Sequence, residues 1–124
     1  MMVRCESKTA QNTRLNLSVA VNFGGRWDIV NAAKTLAQQV ASGILLPEDV
    51  NENVFAGALS LTDIPEPDLM IRTGGDHRIS NFLLWDLAYT ELYFTDVFWP
   101  DFDAAALQEA VETYAQRKRR FGRR

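Results

Sequence analysis

The chain is poor in the residues that build cross-links and metal clusters. Its 124 residues include one cysteine and one histidine. Cys5 has no second cysteine to join, so an internal disulfide and a cysteine-based zinc site are both excluded. A reducing, cytoplasmic setting is expected. His77 alone rules out a centre built on several imidazoles. No apolar run comes near the roughly 18 residues that a membrane span needs. The opening residues lack the apolar stretch of a secretory signal. Neither GxxxxGK[ST] nor GxGxxG occurs, which removes the P-loop and dinucleotide readings. There is no repeat of solenoid type and no low-complexity linker.

Basic charge is also scarce outside one segment. Six of the 13 lysines and arginines lie in 117–124, which holds no acid. Residues 1–116 then carry 7 bases against 16 acids, a balance of −9. A nucleic-acid binder spreads bases over a face, and this body does not. The basic tail has two readings: a solvated helix end complementing the helix dipole, or an anion-binding element.

What is present fits one domain over 1–124, with 47% hydrophobic and 23% charged residues. A chain of this size is expected to bury roughly two thirds of its unfolded surface. In 12–21, Leu15, Leu17, Val19 and Val21 alternate with Asn16, Ser18 and Ala20, the period of a strand. In 26–42, Ile29, Ala33, Leu36, Ala37 and Val40 recur at helical spacing, and Gly43 is a natural stop. Pro47 opens a shorter helical stretch with Val50, Val54, Phe55, Ala58 and Leu59 on its apolar face. The prolines in 63–67 mark a loop. Residues 68–72 read as a strand buried on both faces. Ser80 or Asn81 would cap a helix through Phe82, Leu83, Leu84, Trp85 and Leu87. Residues 92–94 read as a strand, 99–102 as a turn, and Asp103 as the cap of a last helix bearing Leu107, Ala110, Val111 and Tyr114. Strands alternating with helices imply an α/β fold with a mostly parallel sheet and flanking helices.

In such sheets ligands bind beyond the carboxyl ends of the strands. Two strand ends share one composition. Val21 leads to Gly24-Gly25-Arg26, and Ile71 leads to Arg72-Thr73-Gly74-Gly75. Glycine lets a backbone approach a ligand, a helix N-terminus adds partial positive charge, and arginine offers a fork for phosphate oxygens. Arg72, Asp76, His77, Arg78 and Ser80 crowd one short loop. This chemistry points to a phosphorylated ligand. Plainer roles stand beside it: a surface histidine at 77, an exposed acid at Glu91, and an Arg72–Asp76 ion pair that by itself adds little stability. Phe82, Trp85, Tyr89, Tyr93 and Phe94 are expected in the core or a dimer surface.

The run Pro67-Asp68-Leu69-Met70-Ile71-Arg72-Thr73-Gly74-Gly75-Asp76-His77-Arg78-Ile79-Ser80-Asn81-Phe82-Leu83-Leu84-Trp85 resembles the signature of the cis-prenyltransferases. The continuation Ala88 to Phe94, then Trp99-Pro100-Asp101-Phe102, and the upstream Asn22-Phe23-Gly24-Gly25-Arg26-Trp27-Asp28-Ile29 resemble that family too. The likeness runs from about Leu15 to Gly122. It implies the C-terminal part of the family fold, a single partial domain, because family enzymes are about twice as long. It also implies prenyl transfer from an allylic diphosphate, such as farnesyl diphosphate, to isopentenyl diphosphate. Arg72, Arg78, Ile79 and Ser80 would bind the isopentenyl diphosphate. His77 and Glu91 would serve Mg²⁺. Arg120 and Gly122 would reach a partner's site across a homodimer. Membrane contact would be at most peripheral, through the lipid product, and nucleic acid is not a partner. The Asp-Gly-Asn-Gly-Arg motif that manages magnesium and the allylic diphosphate in the family does not occur in this sequence. Asp76 stands where the family usually carries Glu. A noncatalytic prenyl-diphosphate-binding or dimerisation fragment is the alternative reading.

Overall fold

A computed structural model describes residues 2–117. In chain order it has α1 (Met2–Thr9), α2 (Gly25–Ala41), a 3₁₀ turn (Pro47–Asp49), α3 (Glu52–Ala56), β1 (Leu69–Arg72), β2 (Glu91–Phe94), a second 3₁₀ turn (Trp99–Asp101) and α4 (Ala104–Gln116). The two strands pair in parallel, Leu69 opposite Glu91 and Arg72 opposite Phe94. Parallel strands need a crossover, and 73–90 supplies it. The α/β class with a parallel sheet is as expected.

Local chemistry sets several element ends as read from sequence. Asp103 caps α4, its carboxylate accepting from the N–H groups of Ala105 and Ala106 at 3.0 Å each. Asn51, which the sequence reading did not single out, caps α3 in the same way, accepting from Asn53 and Val54 and dividing the stretch expected from Pro47 into a 3₁₀ turn and a short helix. Past α2, Gly43 takes φ +73°. Its N–H reaches Val40 O at 3.0 Å, and Ile44 N–H reaches Gln39 O at 2.9 Å. That pair of bonds is a Schellman stop, which needs the left-handed residue that glycine supplies.

Several expectations fail. The alternating segment 12–21 forms no strand, and Leu15, Leu17, Val19 and Val21 stand 78, 81, 63 and 69% exposed. Alternation states which faces a strand would offer, but a strand exists only beside a neighbour, and none of the described strands lies against it. The helix expected through 82–87 is a series of turns. Ser80 and Leu83 hold φ values of +54° and +29° there, outside right-handed helix. Leu87 is nevertheless buried, and Trp85 packs on Phe55 with ring centroids 4.7 Å apart. Helix α2 buries Asp28, Ala32 and Leu36 and leaves Ala33 and Ala37 exposed, because Asp28 turns inward. Its carboxylate accepts from Ser60 N–H at 3.1 Å and Ser60 Oγ at 2.5 Å. Strand β1 is half-buried along its length, not buried on both faces.

The core is correspondingly small: Ala32, Leu36, Leu59, Leu87 and Ala110 are its buried apolar side chains. The accessible surface is 10374 Å², against about 6,700 Å² for a folded monomer of this mass. About half of the unfolded surface is therefore buried, not two thirds. Two strands have one open edge each, and nothing described covers 12–21.

Candidate functional site

The carboxyl ends of β1 and β2 open into two loops that zip together. Thr95 N–H bonds to Arg72 O at 3.0 Å, Gly75 N–H to Thr95 O at 3.0 Å and Gly74 N–H to Val97 O at 2.9 Å. Gly74 and Gly75 take φ +86° and +79°, a left-handed pair that lets the chain double back. Their N–H groups face the neighbouring loop. They are not offered to a ligand, contrary to the sequence reading of this glycine pair.

The turn delivers its charged side chains to one place. Arg72 Nη2 donates to Asp76 Oδ2 at 2.6 Å, and Nη1 donates to Ser80 Oγ at 2.8 Å and to the carbonyl of Arg78. Arg78 Nη2 reaches the same Asp76 oxygen at 2.8 Å. Three of the five N–H donors of the Arg72 guanidinium are thus held within the loop. Arg72 is 25% exposed and Arg78 is 67% exposed. One guanidinium is therefore a fixed floor and the other a side chain in water. Ser80 Oγ accepts from Arg72 and keeps its own proton for donation. Within this network two guanidiniums share one carboxylate, with Asp96 Oδ1 lying beside Gly75 on the same turn and the donors gathered on a strand end. This arrangement suits a small polyanion with several acceptor oxygens.

The second glycine pair does different work. Gly25 N–H donates to Asn81 O at 2.7 Å, and Arg26 N–H donates to Asn81 Oδ1 at 2.9 Å. Asn81 thereby caps α2 from 55 residues away, where Gly24 gives no side-chain cap. A Cβ on Gly24 would fall 2.7 Å from Asn81 Nδ2, and one on Gly25 would fall 2.9 Å from the backbone nitrogen of Leu84. Glycine is needed here so that 80–84 can press onto the helix start. The N–H groups at this helix end face Asn81, so the Gly24-Gly25-Arg26 end is not an anion cradle. Asn81, expected to cap its own following helix, caps α2. Nothing local in the sequence signals that partner.

The remaining candidates are spread out. Ile79 is half-buried in the loop. His77 lies against Phe94, with ring centroids 5.3 Å apart. Glu91 begins β2, and its carboxylate takes Arg117 Nη1 at 2.9 Å; Arg117 also donates to Leu92 O at 2.8 Å. Three strand steps separate Glu91 from Phe94, about 10 Å, and an odd step puts them on opposite faces. The structure therefore does not bring His77 and Glu91 together within one chain. No group of three or more His, Cys, Asp or Glu able to hold a metal exists among the described residues. As a donor set, His77 and Glu91 do not fit a shared Mg²⁺ in one chain. Arg120 and Gly122 lie outside the described residues. Sequence reasoning missed Arg117 as a clamp on β2. Its one signal was its place as the first base of the tail.

Comparison with known proteins comes to the same place as the motifs. A family model described as "Putative undecaprenyl diphosphate synthase" matches residues 1–122. A relative from Xanthomonas axonopodis pv. citri, named ditrans,polycis-undecaprenyl-diphosphate synthase ((2E,6E)-farnesyl-diphosphate specific), is 57% identical over 98% of this chain and 47% of its own length. The Pseudomonas aeruginosa protein of the same name is 55% identical over 98% of this chain and 49% of its own. Among solved structures, lavandulyl diphosphate synthase from Lavandula x intermedia, in complex with dimethylallyl diphosphate, superposes with a TM-score of 0.90 and 43% identity. That match covers 97% of this chain and 52% of the other. The chain spans about half the length of the curated relatives it matches.

Proposed function

The chain belongs to the cis-prenyltransferase family of undecaprenyl diphosphate synthases, and on that premise we propose that it carries the isopentenyl diphosphate side of a cis-prenyl transfer site. The observation that carries the reading is the cluster of Arg72, Arg78 and Ser80 around Asp76 at the carboxyl end of β1. A diphosphate offers acceptor oxygens to two guanidiniums and a hydroxyl. Ile79, between Arg78 and Ser80, supplies apolar surface for the isopentenyl carbons. Residues 1–124 are read as one partial domain of the family fold. Its setting is read as the cytoplasm, with at most peripheral membrane contact through the lipid product.

In the reaction, the allylic carbon–oxygen bond breaks and diphosphate leaves with its electron pair. The isopentenyl double bond then forms the new carbon–carbon bond, and loss of a proton leaves a cis double bond. The allylic partner is read as farnesyl diphosphate. The residues here bind and orient the isopentenyl diphosphate. No step is assigned to a residue acting on the allylic diphosphate, because the Asp-Gly-Asn-Gly-Arg motif is not in this sequence. Magnesium is expected for the family's chemistry, but His77 and Glu91 do not meet, so no step is routed through it. The family pairing as a homodimer is proposed for this chain as well, with the aromatic surface of 85–99 as the contact.

The test is calorimetric titration with isopentenyl diphosphate and with inorganic pyrophosphate. Binding of both is expected. Arg78→Ala should cost about 1.5–3 kcal/mol, the range for hydrogen bonds to charged groups. Equal affinity of Arg78→Ala and wild type would remove the assignment.

A further inference from the structure

We propose that Asn81 is a positioning residue that locks the arginine–serine loop to the N-terminus of α2, so that occupancy of the loop by a diphosphate and the integrity of that helix end are linked. The inference rests on the diphosphate reading above and adds a residue and a coupling to it. Asn81 follows Ser80, whose hydroxyl meets Arg72 Nη1 at 2.8 Å. Ser80 is held at φ +54°, a left-handed conformation that a serine adopts only when its surroundings impose it. The surroundings are visible on both sides. Arg72 holds the loop side through Ser80 Oγ and the Arg78 carbonyl. Asn81 holds the other side through two bonds to successive N–H groups of α2, 2.7 Å to Gly25 and 2.9 Å to Arg26.

Both bonds of the lock use donors that a helix start leaves without an intrahelical partner. Both acceptors belong to one residue, so the peptide plane and the side chain of Asn81 are fixed together. The plane so fixed is the Asn81–Phe82 peptide, so the lock holds the chain one residue beyond Ser80 and limits where Ser80 can go. The oxygens of Asn81 face N–H groups of α2, and its Nδ2 lies beside Gly24 at the helix start. Asn81 acts through Ser80 and Arg72. If a diphosphate selects the loop geometry, it must stabilise the Asn81–α2 bonds by the same factor with which those bonds favour the diphosphate.

The test uses the whole chain and inorganic pyrophosphate. Three variants are compared with wild type: Asn81→Ala, Gly24→Ala, and both together. Gly24→Ala changes no group that could touch an anion, yet its Cβ would displace the Asn81 amide from 2.7 Å. Gly24 has φ −148°, which alanine accepts without strain. Each single variant should weaken pyrophosphate by about tenfold, within the usual span of coupling between linked sites. The double variant should weaken it no further, because both break one lock. Hydrogen exchange gives the readout a plain helix cap would not move. The Arg26 amide, bonded to the Asn81 side chain, should slow in wild type when pyrophosphate is added and should not in Asn81→Ala, which keeps only the backbone carbonyl bond to Gly25. Wild-type affinity in Asn81→Ala, losses that add in the double variant, or a wild-type Arg26 amide indifferent to bound pyrophosphate would each overturn the positioning role and leave the diphosphate site standing. Failure of wild type to bind pyrophosphate at all would overturn the diphosphate site, and the linkage with it.

Discussion

Arg72 meets Asp76 at 2.6 Å, and the same carboxylate oxygen takes Arg78 at 2.8 Å. Asp76 thus gathers two guanidiniums that would otherwise repel. Arg72 is the more constrained of the two, because its fork spans Asp76 on one nitrogen and Ser80 with the Arg78 carbonyl on the other. A lysine ammonium is a single point of donation and cannot span both. Arg72→Lys should therefore lose most of the pyrophosphate affinity that Arg72→Ala loses, within a few-fold, although it keeps the charge. Titration calorimetry checks this. Full affinity in Arg72→Lys would mean that charge alone, without the fork, makes the site.

How much of this was legible in the sequence divides along locality. Asp103 capping α4 and Gly43 closing α2 involve partners two to five residues away, and both were readable. So were the two paired strands and the loop that carries Arg72 to Ser80. The failures all turn on a distant partner. Leu15 to Val21 has the pattern of a strand, but a strand is completed by a neighbour. Asn81 looks like the cap of its own helix and is engaged by Gly25 and Arg26 instead. Asp28 turns inward because Ser60 is there to meet it. Both glycine pairs were read as openings for a ligand. One accommodates Asn81 and Leu84, and the other turns the chain and bonds to the facing loop. For the Arg117–Glu91 pair the sequence offers only the place of Arg117 at the head of the basic tail, which does not name Glu91 as its partner.

The Asp28–Ser60 contact carries a stability prediction. Asp28 is 3% exposed, and the described bonds to its carboxylate all come from Ser60, its N–H reaching both oxygens and its hydroxyl Oδ1. Ser60→Ala removes the hydroxyl and leaves a buried carboxylate with the backbone N–H. That should cost about 1–3 kcal/mol, the penalty for an under-satisfied buried polar group. Urea unfolding followed by circular dichroism measures it. A cost below the error of the midpoint would mean that water reaches Asp28 and the burial is only apparent.

Two glycines separate close packing from backbone conformation. Gly25→Ala would bring a Cβ to 2.8 Å from Leu84 Cγ and 2.9 Å from Leu84 N. The backbone has to shift, for an overpacking cost of about 1–3 kcal/mol. Gly43→Ala meets nothing within 4 Å and costs only the strain of φ +73°, about 1–2 kcal/mol. Gly43→Asn should recover most of that, since asparagine tolerates the left-handed region. The corresponding Gly25→Asn should be worse than Gly25→Ala. Thermal melts of the four variants order these effects, and recovery of stability by Gly25→Asn would contradict the packing argument.

Leu15, Leu17, Val19 and Val21 form a run of exposed apolar side chains, and contiguous apolar surface of this kind favours association. The chain should self-associate as its concentration rises, and Leu17→Lys with Val19→Lys should shift that association to higher concentration. Light scattering over a dilution series reports both. A clean monomer for wild type at high concentration would sink the prediction for this segment and for the aromatic contact in 85–99.

The last prediction concerns turnover. Condensation needs the allylic diphosphate to ionise while its cation is held beside the isopentenyl double bond. Alignment of two bound reactants can supply roughly 7–11 kcal/mol of the barrier. In the reading proposed above, the described residues hold one of the two, at the cluster of Arg72, Arg78 and Ser80. The Gly24-Gly25 end meets Asn81 instead of an anion. These 124 residues alone should therefore give no detectable prenyl transfer from farnesyl diphosphate, even with Mg²⁺. Addition of a separately expressed N-terminal half of a family enzyme, which the resemblance implies carries the Asp-Gly-Asn-Gly-Arg motif, should restore some turnover. Arg78→Ala should abolish whatever returns. Radiolabelled isopentenyl diphosphate appearing in long-chain product with this chain alone would show that a second anion site is built from residues assigned here to packing, and the division of labour between the two halves would have to be abandoned.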